Sequence, residues 1–194
     1  MNANIKTSKK LLLVVDLVNG FIKQGAMADN YIQHIVPESK RIVESFLKNG
    51  YAVSYIKDCH NDTCAEFNRY PAHCKRGTYE SEMVDELIEF ESRVIVFEKN
   101  STSAMFAKGF MEMLNEMREL QEVVIIGCCT DICVINLAIP LQNFFDEHNR
   151  PVKITIPKNA IETYDSPTHP REEYNEIAFK LMVQTGIELV ETYN

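Results

Sequence analysis

Six short apolar runs rich in β-branched residues recur along the chain, at residues 11–17, 51–57, 93–98, 123–127, 152–156 and 187–190. Several are apolar on consecutive positions rather than alternate ones, the pattern of strands covered on both faces. Between them lie stripes at helical spacing. Ile42, Val43, Phe46 and Leu47 form one, closed by Gly50. Phe106, Phe110, Met113, Leu114 and Met117 form a second, and Tyr174, Ile177, Ala178, Leu181 and Met182 a third that stops at Gly186. Strands alternating with helices predict an α/β protein: a six-stranded, mostly parallel sheet with helices on both faces.

Residues 132–145 are apolar on nearly every side and include Pro140. A helix of that kind is buried all round or sits at a subunit contact, so a homo-oligomer is expected. Residues 59–82 form the longest irregular stretch, and a loop of that length in a compact domain is usually functional. No repeat, linker or low-complexity tract divides the 194 residues, so residues 1–194 are expected to form one domain.

Composition narrows the partners. A net charge of -8 argues against a nucleic-acid surface, which needs a basic face. The apolar run after Lys9 and Lys10 ends at Asp16, too soon for a membrane helix and without a signal-cleavage pattern. A cytoplasmic protein is therefore expected, with its six cysteines reduced rather than paired.

Three strand ends carry chemistry. In an open parallel sheet, ligands bind beyond the carboxyl ends of the strands. The first run ends at Asp16, the third at Lys99, and the fourth passes Gly127 to open onto Cys128, Cys129 and Cys133 at a helix start. A thiol near the positive end of a helix is favoured as thiolate. A carboxylate could take its proton, and an ammonium could stabilise the resulting anions. Asp58, Cys59 and His60 end the second run. Residues two apart on a strand share a face, so Asp58 and His60 could meet one ion, with Glu66 and His73 following in the long loop. Two imidazoles and two carboxylates suit zinc, iron or manganese. Cys59, Cys64 and Cys74 fit no closed zinc spacing and read as ordinary small residues.

These segments resemble the isochorismatase-like cysteine hydrolases, in particular the nicotinamidase (pyrazinamidase) branch. Val14-Val15-Asp16-Leu17-Val18-Asn19-Gly20-Phe21 is similar to the first-strand signature, Glu98-Lys99-Asn100-Ser101-Thr102-Ser103-Ala104 to the lysine motif, and Gly127-Cys128-Cys129-Thr130-Asp131-Ile132-Cys133-Val134 to the nucleophile loop. The stretch from Tyr70 through Pro71 and His73 to Thr78 resembles the element that brings a later histidine to the branch's metal. The resemblance implies Asp16 as general base, Cys133 as nucleophile and Lys99 as electrostatic partner. It places the oxyanion hole at the backbone N–H groups of Cys129 and Cys133, beside a cis peptide between Cys128 and Cys129. It makes Asp58, His60, Glu66 and His73 ligands of one divalent transition metal, zinc first, with iron or manganese as alternatives. The implied substrate is a small carboxamide: nicotinamide, stacked on Phe21, hydrolysed in NAD salvage. The chain departs from the pattern at Thr102, where the branch often has a ring-facing tyrosine. Tyr70 and Phe106 are the candidates to replace it. The alternatives are hydrolysis of a different small amide, or a non-catalytic metal-binding protein on the same scaffold. His169 reads as a solvated loop histidine.

Overall fold

The computed structural model describes residues 3–194, and in it the consecutive apolar runs become a parallel sheet. The strands are β1 (Lys10–Val15), β2 (Ala52–Asp58), β3 (Ile95–Lys99), β4 (Glu122–Cys128), β5 (Lys153–Pro157), β6 (Ile161–Glu162) and β7 (Glu188–Val190). Their order is β3-β2-β1-β4-β5-β7, with β6 pairing β4 off that path. Every ladder is parallel. The helices are α1 (Ala3–Lys6), α2 (Asn19–Ile22), α3 (Val36–Lys48), α4 (Asp85–Ile88), α5 (Phe110–Glu116), α6 (Ile135–Glu147) and α7 (Arg171–Gln184). Six strands were expected from the sequence. The seventh, β6, is two residues long and continues the edge that β5 leaves, since β5 pairs β4 only from Glu122 to Val124 and β6 takes over at Gly127 and Cys128.

The period of two along a strand explains the layers. Leu11, Leu13 and Val15 of β1 pack into one cluster with α5, α6 and α7. Leu12 and Val14 point the other way, into a second cluster with α3. Both faces are covered, so a polar residue at either position would be buried without a partner.

Two helical stripes differ from expectation. Gly109 adopts a left-handed φ of 85° and starts α5 at Phe110, so Phe106 falls in a separate turn and is 84 % exposed. On α7 only Ala178 and Met182 are fully buried, while Ile177 and Leu181 remain partly exposed. The all-round apolar α6 is mostly absorbed within the chain, burying Leu137, Ala138, Leu141, Phe144 and Phe145. No helix among the described residues is long and apolar enough to cross a membrane.

Between β1 and β4 the chain direction of growth reverses, because β2 and β3 lie to one side of β1 and β4 and β5 to the other. That reversal opens a crevice at the strand ends. Gly127 makes the approach possible. Its φ is 120°, and a Cβ there would lie 1.9 Å from the carbonyl oxygen of Val15. Gly127→Ala is expected to force β1 and β4 apart and cost about 3 kcal/mol. Urea unfolding would read this as a lower midpoint, and an unchanged midpoint would contradict the close approach.

Candidate active site

Asp16 follows β1 with φ 52°, a left-handed conformation unusual for a side-chain-bearing residue. Two contacts hold it there: its N–H donates to the Ile56 carbonyl at 2.9 Å, and its own carbonyl accepts from Cys128 Sγ at 3.2 Å. The turn swings the carboxylate across the mouth of the β1–β4 crevice. Lys99, two strands away at the end of β3, reaches past β2 to meet it. Its Nζ lies 2.8 Å from Asp16 Oδ2, 2.9 Å from Asp58 Oδ1 and 3.5 Å from Cys133 Sγ. All four side chains are buried.

Cys133 lies inside a π-turn, Thr130–Val134, just before α6. The turn is wide because Val134 N–H reaches back five residues to the Cys129 carbonyl, at 3.1 Å. Such turns are frequent at functional sites. The peptide between Cys128 and Cys129 is cis. Pro140 contributes from within α6. Lacking an N–H, it frees the carbonyl of Asn136 four residues earlier, and that oxygen accepts from Ser103 Oγ at 2.7 Å. The nucleophile helix and the lysine loop are thereby tied together.

Burial sets the resting charges. It pushes the Asp16 carboxyl up to about 6, against the opposing pull of Lys99. Burial also works against the charge on Lys99, but Asp16 and Asp58 outweigh it and hold the ammonium protonated, well above its ordinary range. For Asp58 the same burial is overcome by Lys99, His60 and His73, which hold the carboxyl below the usual range. The thiol of Cys133 is pushed well up by burial, more than Lys99 pulls it down. This corrects the expectation of a resting thiolate at a helix N-terminus: the sulfur sits within a buried turn and keeps its proton. Asp16 Oδ1 has no hydrogen-bond partner among the described residues, which leaves a free acceptor in the crevice.

Beside this group, Asp58 Oδ2 stands 2.9 Å from His60 Nε2 and 3.1 Å from His73 Nε2, and the two nitrogens are 3.1 Å apart. The outer ring nitrogen fixes the tautomer of a neutral His73. His73 Nδ1 faces the Pro71 carbonyl at 2.7 Å and must donate to it. His60 Nδ1 faces Asn100 Oδ1 at 3.3 Å, an oxygen that also accepts from Asn61 N–H. A neutral His73 therefore turns its Nε2 lone pair inward, towards Asp58 Oδ2 and His60 Nε2, an arrangement that a cation at this point would relieve. The donor set, Asp58, His60 and His73, fits a divalent ion. Glu66, expected as a fourth ligand, is buried at the edge of the cluster, with Oε2 3.8 Å from His60 Nε2 and Oε1 accepting from Thr102 N–H at 2.9 Å. Cys64 lies behind, with Sγ 3.2 Å from His60 Nδ1.

The thiol, Asp58 and His73 line one tight cavity, and His60 lies buried outside its lining. The cavity's other walls are Phe21, Met27, Glu66, Tyr70, Thr102, Cys129, Ile132 and Tyr164. The Phe21 and His73 rings lie 5.5 Å apart. Of the two aromatic candidates, Tyr70 lines the cavity. Phe106 does not, because the break at Gly109 turns it to solvent. Tyr164 was missed, as were Met27 and Ile132. Tyr164 follows the two-residue strand β6, which leaves no readable pattern. His169, expected in solvent, is buried.

Fold and site together define an α/β protein of the cysteine-hydrolase class, with a thiol, a carboxylate and an ammonium meeting at the sheet's switch point. Residues 10–193 match the isochorismatase domain, and the chain belongs to the isochorismatase family. It is 31% identical over 175 residues to nicotinamidase 1 of Arabidopsis thaliana, covering 81% of this chain and 71% of that protein. Among solved structures, a nicotinamidase of Bacillus subtilis superposes with a TM-score of 0.79 at 26% identity, covering 94% of this chain and 99% of that one. The N-carbamoylsarcosine amidase of Thermoplasma acidophilum superposes with a TM-score of 0.76 at 25% identity, covering 93% and 95%.

Proposed function

We propose that the protein is a metal-containing nicotinamidase that hydrolyses nicotinamide to nicotinate and ammonia in NAD salvage, and that also accepts close analogues such as pyrazinamide. One observation carries this reading: Asp58 and His73 of the cation-suited cluster line the same cavity as Cys133, among aromatic side chains, with His60 buried against both. The family and the similarity to two nicotinamidases support it. A bound divalent ion would supply a coordination position for the pyridine nitrogen, fixing the ring's orientation.

The chain's own residues account for the covalent steps. Asp16, ionised above about 6, takes the proton of Cys133, and Lys99 holds the resulting anions in place. The sulfur attacks the carboxamide carbon. Negative charge develops on the carbonyl oxygen and is met by the backbone N–H groups of Cys129 and Cys133. Asp16 returns the proton to the departing ammonia. Water then cleaves the thioester, releasing the acid and restoring the thiol. Phe21, Tyr70 and the cavity's apolar walls hold the ring over the sulfur.

The test is a steady-state comparison of ammonia release from nicotinamide and from small aliphatic amides. A strong preference for nicotinamide is expected. Comparable rates would move the assignment to another small amide, as in the amidase from Thermoplasma. Elemental analysis checks the cluster separately. The purified protein is expected to carry a divalent transition metal, zinc first and iron or manganese otherwise. His73→Ala should lower metal affinity by roughly 10–100-fold or more, since even supporting residues of such sites cost that much. Full retention of metal in His73→Ala would remove His73 from the ligand set.

A further inference from the structure

A second constellation stands behind the cavity wall. The Tyr164 ring is stacked on His169, with centroids 3.9 Å apart and planes 9° from parallel. His169 is in turn stacked on Tyr174 of α7, at 3.6 Å and 27°. The imidazole is thus clamped between two phenols and buried. Its Nε2 pairs with Asp131 Oδ2 at 2.8 Å, and its Nδ1 lies 3.1 Å from the Tyr164 carbonyl, to which it can only donate. Asp131 Oδ1 accepts from Thr163 Oγ1 at 2.5 Å. Asp131 belongs to the π-turn that carries Cys133, while Thr163 and Tyr164 belong to the segment after β6. A buried imidazole paired with a carboxylate is costly to build unless something requires its orientation. None of the proposed chemical steps uses it.

Tyr164 is where the arrangement meets the ligand. One face of its ring is covered by His169, and Tyr164 also lines the cavity that Cys133 lines. Together with Met27 and Tyr70 it also borders a broader, more open hollow outside, so these three form the neck between the inner cavity and solvent. The lysine loop presents only Thr102 at the same cavity, and its backbone N–H is occupied by Glu66. That wall offers no ring.

We propose that Tyr164 is the specificity-determining wall for flat aromatic amides in this protein. In the same proposal His169, braced by Asp131 and Tyr174, is the positioning residue that holds the Tyr164 ring in the cavity wall. Residue identity at Thr102 matters less, because the ring surface comes from other residues of the cavity wall. The proposal rests on the cavity being an amide site, and it deepens that reading by naming what selects the ring.

The experiment compares kcat and KM for nicotinamide and for propionamide in the wild type, Tyr164→Ala, Tyr164→Phe, His169→Ala and His169→Gln. Tyr164→Ala is expected to lose about tenfold in kcat/KM on nicotinamide, chiefly through KM, the scale of one aromatic stack. The aliphatic amide should fall far less than nicotinamide does, and Tyr164→Phe, which keeps a ring, should lose less than Tyr164→Ala on nicotinamide. His169→Ala should reproduce the KM effect, and His169→Gln, which can still donate to the Tyr164 carbonyl, should restore part of it. A uniform fall on both amides, or no fall on either, would overturn the proposal. Alkylation of Cys133 by iodoacetamide and by its aryl analogue iodoacetanilide, located by fragment mass spectrometry, reads the same ring preference without turnover. Loss of the aryl reagent's relative rate in Tyr164→Ala supports the wall even if nicotinamide proves not to be the substrate. An unchanged ratio overturns it, whatever the substrate.

Discussion

Cys133→Ala is expected to release no measurable ammonia from any carboxamide, and Asp16→Asn to lose about 10³-fold in kcat/KM. The two act as one device. The thiol is buried and keeps its proton at rest, so its reactivity depends on a base within reach. Asp16 offers an unpartnered Oδ1 in the same buried crevice. Asparagine preserves shape but cannot accept the proton as a carboxylate does. The pH profile carries the same argument. Asp16 must be ionised to act, and burial pushes its carboxyl up to about 6. Wild-type kcat/KM should therefore rise as pH increases through about 6, and that limb should vanish in Asp16→Asn. Iodoacetamide labelling of Cys133 at pH 7 should slow in parallel. An Asp16→Asn variant that keeps both its rate and its acid limb would leave the carboxylate without a part in the chemistry.

Much of this arrangement could be read in the sequence, for specific reasons. Strands buried on both faces need unbroken β-branched runs, so β1 and β4 stand out, and a charged residue ending such a run marks a strand's carboxyl end. Asp16, Asp58 and Lys99 were visible in that way. The identity of their neighbours was not. Lys99 is separated from β1 by β2, and only the strand order shows that its stem passes Asp58 to reach Asp16. The failures are local in origin. Phe106 fits a helical period with Phe110 and Met113, but the left-handed Gly109 breaks the helix between them. Tyr164 follows a strand too short to leave a pattern. His169 lies in a loop rich in polar residues and proline, yet it is drawn inward by Asp131, a partner far away in sequence. Contacts of that range leave no periodic trace. The state of the thiol also escaped, because helix polarity argues for thiolate and burial, which here is the stronger effect, argues against it.

Lys99→Met should be the most damaging change to stability at the site. The ammonium sits between Asp16 and Asp58, at 2.8 and 2.9 Å, and all three groups are buried. Methionine fills a similar volume but leaves two carboxylates facing each other with no cation between them. Removing one partner of a buried ionic group costs about 3–5 kcal/mol, chiefly through the charge left behind. The sign with pH follows from linkage. Asp16 already titrates near 6 in the folded protein, above its ordinary value of 3.8, and loss of Lys99 moves it further up. A carboxyl that binds its proton more tightly when folded loses stability as pH rises from the unfolded value through the folded one. The variant should therefore lie closest to wild type near pH 5, where protonation relieves the repulsion, and fall away towards pH 7.5. Urea unfolding at pH 5, 6 and 7.5 measures this directly. A deficit of the same size at all three values would assign the loss to packing of the lysine stem, and the ammonium would no longer be the group that lets two acids share this crevice.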